Sequence, residues 1–63
     1  MNIRKFLCEN RLPLVWLQEQ LSRRGFAVEQ SHLSRIIDGE RNSDSAIDIR
    51  RECESICRKY SNM

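Results

Sequence analysis

The chain has 63 residues, of which 40% are hydrophobic and 32% charged. This composition is typical of a folded protein and not of a disordered one. We expect residues 1–63 to form one small domain with a thin core, because the chain is too short for several domains. Eleven Lys and Arg against nine Asp and Glu leave a net charge of only +2, a balance that permits a nucleic-acid partner without requiring one. No apolar run approaches the ~18 residues that span a bilayer and no signal-peptide core follows the basic N-terminus, so we expect a cytoplasmic protein with no membrane partner.

Apolar residues at spacings of three and four predict helices throughout the chain, and no stretch alternates as a half-buried strand would. A first helix is predicted over about residues 3–10, with Asn2 as its N-cap. Pro13 suits the first turn of a second helix, which is predicted over about residues 13–24. Gly25 follows at the position where helices often end in a left-handed residue.

The second half of the chain predicts two further helices. The third spans about residues 29–38 and ends at Gly39. The fourth spans about residues 44–60 and is capped either by Ser43 or by Ser45 in a variant capping box. We therefore predict an all-α fold, a small four-helix domain. Its core is predicted to contain Phe6, Leu17, Leu21, Leu33, Ile36, Ile49, Cys53 and Ile56.

The residue types that carry catalysis or bind metals are sparse. Cys53 and Cys57 share one helical face, but Cys8 and His32 are distant and the set lacks the CxxC and HxxxH spacings of zinc sites. We expect reduced, mostly buried thiols that act as small hydrophobic side chains. No nucleophile elbow, Gly-rich phosphate loop or apolar carboxylate pair occurs. The sequence therefore predicts no enzyme, no cofactor, no metal and no small-molecule substrate.

The outer face of the third helix has a composition that suits DNA. Ser31, Ser34 and Arg35 lie opposite its apolar side, and Gln30 lies at its N-terminal end. Arg can bond two acceptors of guanine, Gln can pair bidentately with adenine, and Ser fits close to a base or a phosphate. A solvated helix without any DNA-binding role can carry the same residues, so composition alone leaves both interpretations open.

The stretch 12–41 resembles the helix-turn-helix of phage repressors and Cro proteins, the Cro/repressor-type (XRE) family. Residues 12–17, LPLVWL, match the start of the first motif helix. Residues 31–41 match the end of the recognition helix and the turn after it, and the run LSRIIDGER is the most specific part. The resemblance implies a helix-turn-helix over about residues 13–39 and a sequence-specific DNA-binding transcriptional regulator of phage or mobile-element type.

The same resemblance implies how DNA is bound. The recognition helix, about residues 29–38, would enter the major groove of double-stranded DNA, and a homodimer would bind a pseudo-palindromic operator. The residues at base-facing positions are Gln30, Ser31, Ser34 and Arg35. The residues expected to face the phosphate backbone are His32, Arg41 and Asn42.

Two features depart from the family pattern. Gln18 stands directly after the central Leu of the first motif helix, where the family usually has Ala. The connection between the motif helices is also longer, and its extra residues include Phe26 and Val28. The sequence thus predicts a repressor-like domain with an extended turn.

One large side chain and one alternative function stay open at this point. Trp16 lies opposite the Leu stripe of the second helix. We expect it to pack against Phe26 or under the fourth helix, with a dimer contact or a DNA-backbone contact as alternatives. The alternative function is a small protein-interaction module, antirepressor-like or antitoxin-like, that keeps the fold without reading DNA.

Overall fold

Four helices make up the protein in the computed structural model, which describes residues 1–62. They are α1 (Ile3–Glu9), α2 (Leu14–Arg23), α3 (Gln30–Ile37) and α4 (Asp44–Ser61). No strand occurs within the described residues, and the predicted all-α, four-helix class is confirmed. None of the helices that these residues form is long and apolar enough to cross a membrane.

The core lies where α4 meets the other helices. α4 packs against α1, α2 and α3, and α2 also packs against α3. Every predicted core residue except Phe6 is buried. Phe6 is half-buried at the edge of the core, where its ring packs edge-to-face on Tyr60 at a centroid distance of 6.0 Å. The buried set is Ile3, Leu7, Leu17, Leu21, Leu33, Ile36, Ala46, Ile49, Cys53, Ile56 and Cys57.

Polar side chains cap the first and last helices. The Asn2 side chain accepts a hydrogen bond from the amide of Lys5 at 3.0 Å, as predicted. Ser43 accepts from the amide of Ala46 at 3.2 Å and is the N-cap of α4. The alternative cap at Ser45 is wrong, because Ser45 already lies within the first turn of the helix that Ser43 begins.

The second helix begins one residue later and ends one residue earlier than predicted. Pro13 has an extended backbone, with φ −74° and ψ 157°, and occupies the N-cap position instead of the first helical turn. At the other end Arg24 is the C-cap, and helical geometry stops at Arg23. Shifts of this size are common at helix ends, where the terminal residues make only half of their helical bonds.

Three helices end in the same hydrogen-bonded turn. After α2, the amide of Gly25 donates to the carbonyl of Ser22 and the amide of Phe26 donates to Leu21, the pattern of a Schellman motif. Gly25 has φ +91° and Gly39, after α3, has φ +82°, which confirms both predicted glycine turns. α1 ends likewise, but the left-handed residue there is Arg11, at φ +54°.

Trp16 is half-buried on the side of α2 that faces the C-terminal part of α4. Its ring lies 5.4 Å from the ring of Tyr60, with an interplanar angle of 74°. The predicted packing against the fourth helix is therefore confirmed. This edge-to-face geometry is favourable for aromatic pairs.

Candidate nucleic-acid interface

The face of α3 directed away from the core carries the polar residues that the sequence singled out. Leu33 and Ile36 are fully buried, and their burial determines the rotation of α3 about its axis. Gln30, Ser31 and Arg35 are consequently exposed to solvent on one side of the helix. The structure thus brings three of the four predicted base-contacting residues onto one accessible surface.

The fourth residue, Ser34, is half-buried because a side chain from α1 covers it. Arg4 approaches Asp38 in a two-pronged ion pair, with Nε 2.6 Å from Oδ1 and Nη2 3.0 Å from Oδ2. The same Nη2 donates to the Ser34 hydroxyl at 2.6 Å. Ser34 is therefore an intramolecular acceptor for Arg4, and its hydroxyl hydrogen is still free to be donated to a ligand.

The Arg4–Asp38 pair changes the charge of the α3 face as well as its shape. The hydrogen bonds to Asp38 raise the pKa of the Arg4 guanidinium above its ordinary value. The pair leaves the Asp38 carboxylate balanced by a cation, so it repels an approaching phosphate less than a free carboxylate would. Nothing in the local sequence pattern indicates this contact, because its partners are 34 positions apart.

The loop after α3 is held by one arginine of α4. Arg50 donates from Nε to the carbonyl of Ile36 at 3.1 Å and from Nη2 to the carbonyl of Arg41 at 2.7 Å. The Asn42 side chain accepts from the same guanidinium at 3.4 Å and donates to the carbonyl of Gly39 at 3.4 Å. Sequence reasoning missed Arg50, whose spacing on α4 does not distinguish it from its solvated neighbours.

The three residues predicted to face phosphates differ in whether their side chains are bonded within the loop. Asn42 is exposed and, in the unbound protein, its side chain bonds to the Gly39 carbonyl and to the Arg50 guanidinium within the loop. The Arg41 and His32 side chains are exposed, and Arg41 forms no ion pair within residues 1–62. The Arg41 carbonyl accepts a hydrogen bond from Arg50. The Arg41 guanidinium therefore extends from a backbone that is held in place.

The connection before α3 is held by burial and by Gln18. Phe26 and Val28 are half-buried against the core. The Gln18 side chain donates from Nε2 to the carbonyl of Val28 at 2.9 Å. Gln18 and the turn that contains Phe26 and Val28 are therefore joined by a hydrogen bond as well as by packing.

At the ends of α3, backbone amides that attract anions lie close to carboxylates that repel them. Glu29 is the N-cap residue but makes no side-chain hydrogen bond to the helix, so the first amides of α3 have no side-chain cap. Uncapped amides at a helix N-terminus can bind an anionic group. The exposed Glu29 and Glu40 lie just before and just after α3 and oppose that attraction.

The cysteines divide into two buried thiols and one exposed thiol. Cys53 and Cys57 are fully buried and Cys8 is exposed. Burial raises the pKa of Cys53 to about 12 and also raises the pKa of Cys57, so both remain protonated near neutral pH. Among residues 1–62 no group of three or more His, Cys, Asp and Glu side chains could hold a metal ion.

Comparison with known proteins adds no relative: no protein-family model, curated protein or solved structure matches the chain.

Proposed function

We propose that this protein is a sequence-specific DNA-binding regulator of the Cro/repressor type, with α2 and α3 as its helix-turn-helix. α3 enters the major groove, where Arg35 and Gln30 contact base edges and Ser31 contacts a base or a phosphate. Ser34 donates its hydroxyl hydrogen while Arg4 holds its oxygen. Arg41 and His32 face the phosphate backbone.

The observation that carries the proposal is the exposed polar face of α3, together with the hydrogen bonds that α1, α2 and α4 make to this helix and its flanking turn. Arg4 of α1 bonds to the side chains of Ser34 and Asp38, Arg50 of α4 bonds to one carbonyl at the C-terminal end of α3, and Gln18 of α2 bonds to the preceding turn. A rigid helix loses little conformational freedom when it enters a groove, and recognition is correspondingly more specific.

A homodimer is part of the proposal, because two copies of one recognition helix read a two-fold symmetric operator. A transcriptional regulator of phage or mobile-element type acts in this way, in the cytoplasm. The dimer would place two α3 helices in successive major grooves on one side of the duplex.

The alternative is a protein-interaction module that keeps the same fold without reading DNA. The exposed Glu29 and Glu40 beside α3, together with the low net charge of +2, favour it. A DNA-binding protein loses duplex affinity steeply as salt rises, whereas an interaction module binds little DNA at any salt concentration, so the salt dependence of duplex binding discriminates the two functions.

The test is titration of the protein into duplex DNA at two salt concentrations, followed by selection from a random duplex library. We expect binding that weakens steeply with salt and a selected sequence with two-fold symmetry. Absence of binding at low salt, or a selection without any consensus, would favour the interaction module.

A variant of Arg41 examines the predicted backbone contact in the same assay. Arg41→Ala should weaken binding to all duplexes alike and reduce the salt slope by about one unit. Arg51→Ala is the matched control, because Arg51 is exposed on α4 outside the helix-turn-helix. Equal behaviour of the two variants would remove Arg41 from the interface.

A further inference from the structure

A groove lies between α2 and the C-terminal part of α4, away from the polar face of α3. Its volume is about 290 Å³. None of the residues that line it belongs to α3, and none is among the seven residues placed at base-facing or phosphate-facing positions. The lining consists of Trp16, Gln20, Arg23, Arg24, Ile56, Lys59 and Tyr60.

The inner surface of the groove is apolar and aromatic. Trp16 and Tyr60 pack edge-to-face at 5.4 Å, and Phe6 also packs edge-to-face on Tyr60, at 6.0 Å. Ile56 is buried beneath them. Trp and Tyr, which are half-buried here, are among the residue types that contribute most to binding at protein interfaces.

The rim of the groove is cationic. Arg23, Arg24 and Lys59 line it, and no carboxylate does. Arg24 is paired with Glu52 at 3.1 Å, whereas Arg23 and Lys59 form no ion pair in the described part of the chain. The adjacent Arg58, which does not line the groove, is paired with Glu54 at 3.5 Å, so Arg23 and Lys59 are the cations at this end of α2 and α4 that a carboxylate of a ligand can pair with.

Size and charge together select the occupant. A volume of about 290 Å³ lies at the lower limit of sites for drug-sized ligands, and suits one or two apolar side chains. A second copy of this chain packed across a two-fold axis would bring the same cations towards each other, which is unfavourable. A carboxylate-bearing segment compensates them.

We propose that this groove binds an acidic peptide segment of a partner protein. One aromatic or aliphatic side chain of the segment packs against Trp16 and Ile56, and carboxylates beside it face Arg23 and Lys59. This site is independent of the proposed DNA-binding function, so either function can fail without the other. A protein with both would join a DNA site to a second protein.

The experiment is a selection of random displayed peptides against the full chain. We expect enriched sequences that contain an aromatic or aliphatic residue flanked by Asp or Glu. Binding of the synthesised peptides is then followed by the fluorescence of Trp16, the only tryptophan. A selection that yields no saturable binder, or that yields neutral or basic sequences, overturns the proposal.

Charge variants locate the binding on the groove. The double variant Arg23→Gln/Lys59→Gln should weaken the selected peptides by about fivefold to tenfold. Gln20→Glu, which adds a carboxylate to the lining, should weaken them similarly. Arg23→Lys should bind like the wild type, and Arg51→Gln is the matched control for loss of one surface charge.

Two further outcomes assign the groove to other occupants. Displacement of the peptide by short duplex DNA, with DNA binding lost in the double variant, would make the groove a nucleic-acid surface and overturn the proposal. A dimer in sedimentation that dissociates in the double variant would assign it to a second copy and overturn it equally.

Discussion

The connections into and out of α3, residues 24–29 and 38–43, are equally long and begin with the same glycine-containing turn. Beyond that turn they differ. The first packs Phe26 and Val28 against the core and adds one bond from Gln18. The second has no residue in the core and is held by the guanidinium of Arg50. One connection is stabilised mainly by apolar burial, and the other by charged hydrogen bonds.

The difference indicates what each connection contributes. Apolar burial adds to the free energy of unfolding without fixing the direction of any polar group. Hydrogen bonds to specific carbonyls fix geometry and add less net stability. We therefore expect changes in the first connection to act mainly on stability, and changes at Arg50 to act also on the position of the Arg41 side chain.

The largest effect is expected at the residue between the two connections. Leu33 is fully buried, so Leu33→Ala should lower the free energy of unfolding by about 2–5 kcal/mol, enough to unfold a domain of this size. Urea denaturation followed by circular dichroism measures it. Val15→Ala, at a position that is 44% exposed, should change little. A Leu33 variant as stable as the wild type would mean that the rotation of α3 is different.

The next effect belongs to the second connection. Arg50→Met keeps the apolar stem of the side chain but removes the bonds to the carbonyls of Ile36 and Arg41, and should cost about 1–2 kcal/mol. Arg50→Lys should recover only part of this lost stability, because an ammonium group cannot reproduce the planar guanidinium that bonds to both carbonyls. Amide hydrogen exchange should quicken in residues 38–43 and not in 24–29. Equal acceleration in both connections would contradict the comparison.

Replacing the glycine of either connection is expected to have a smaller effect on stability, of the same size in both. An added Cβ at Gly25 or Gly39 meets no atom within 4 Å, so only the positive φ opposes a side chain there. Gly25→Ala and Gly39→Ala should each cost about 1 kcal/mol in thermal denaturation. Arg11→Gly, at the corresponding turn after α1, should leave stability equal or higher. A clear difference between the two glycine variants would show that their turns are not equivalent.

The smallest effect on stability is expected from the single hydrogen bond of the first connection, between Gln18 and the Val28 carbonyl. Gln18→Ala removes the hydrogen bond to the Val28 carbonyl and should cost about 0.5–1 kcal/mol, partly offset by the better helix propensity of Ala. Glu19→Ala is the control for propensity on the exposed side of α2. If both variants gain stability equally, the Gln18 bond contributes nothing.

Periodicity and capping residues were sufficient to predict the helices, because apolar spacing and glycine turns are local properties of the chain. Errors occurred where local signals competed, as with the caps Ser43 and Ser45, or where an aromatic ring lies at the core edge, as with Phe6. Exposure of Gln30, Ser31 and Arg35 followed from the burial of the opposite face.

The contacts that hold the candidate site could not be predicted. Arg4 reaches Asp38, Arg50 reaches a carbonyl of α3, and Gln18 reaches the turn. Each contact joins residues on different elements through a long, flexible side chain. Their geometry depends on how the helices pack, which a single sequence does not encode as a spacing.

The central claim is that α3 reads DNA, and Arg35 tests it most directly. Binding of Arg35→Ala to the selected operator should be measured by fluorescence anisotropy beside Arg51→Ala and the wild type. We expect Arg35→Ala to lose about 1–3 kcal/mol of specific binding and to relax preference at one base pair in each half-site. Binding of Arg35→Ala to every duplex with wild-type affinity would show that α3 is not a recognition helix.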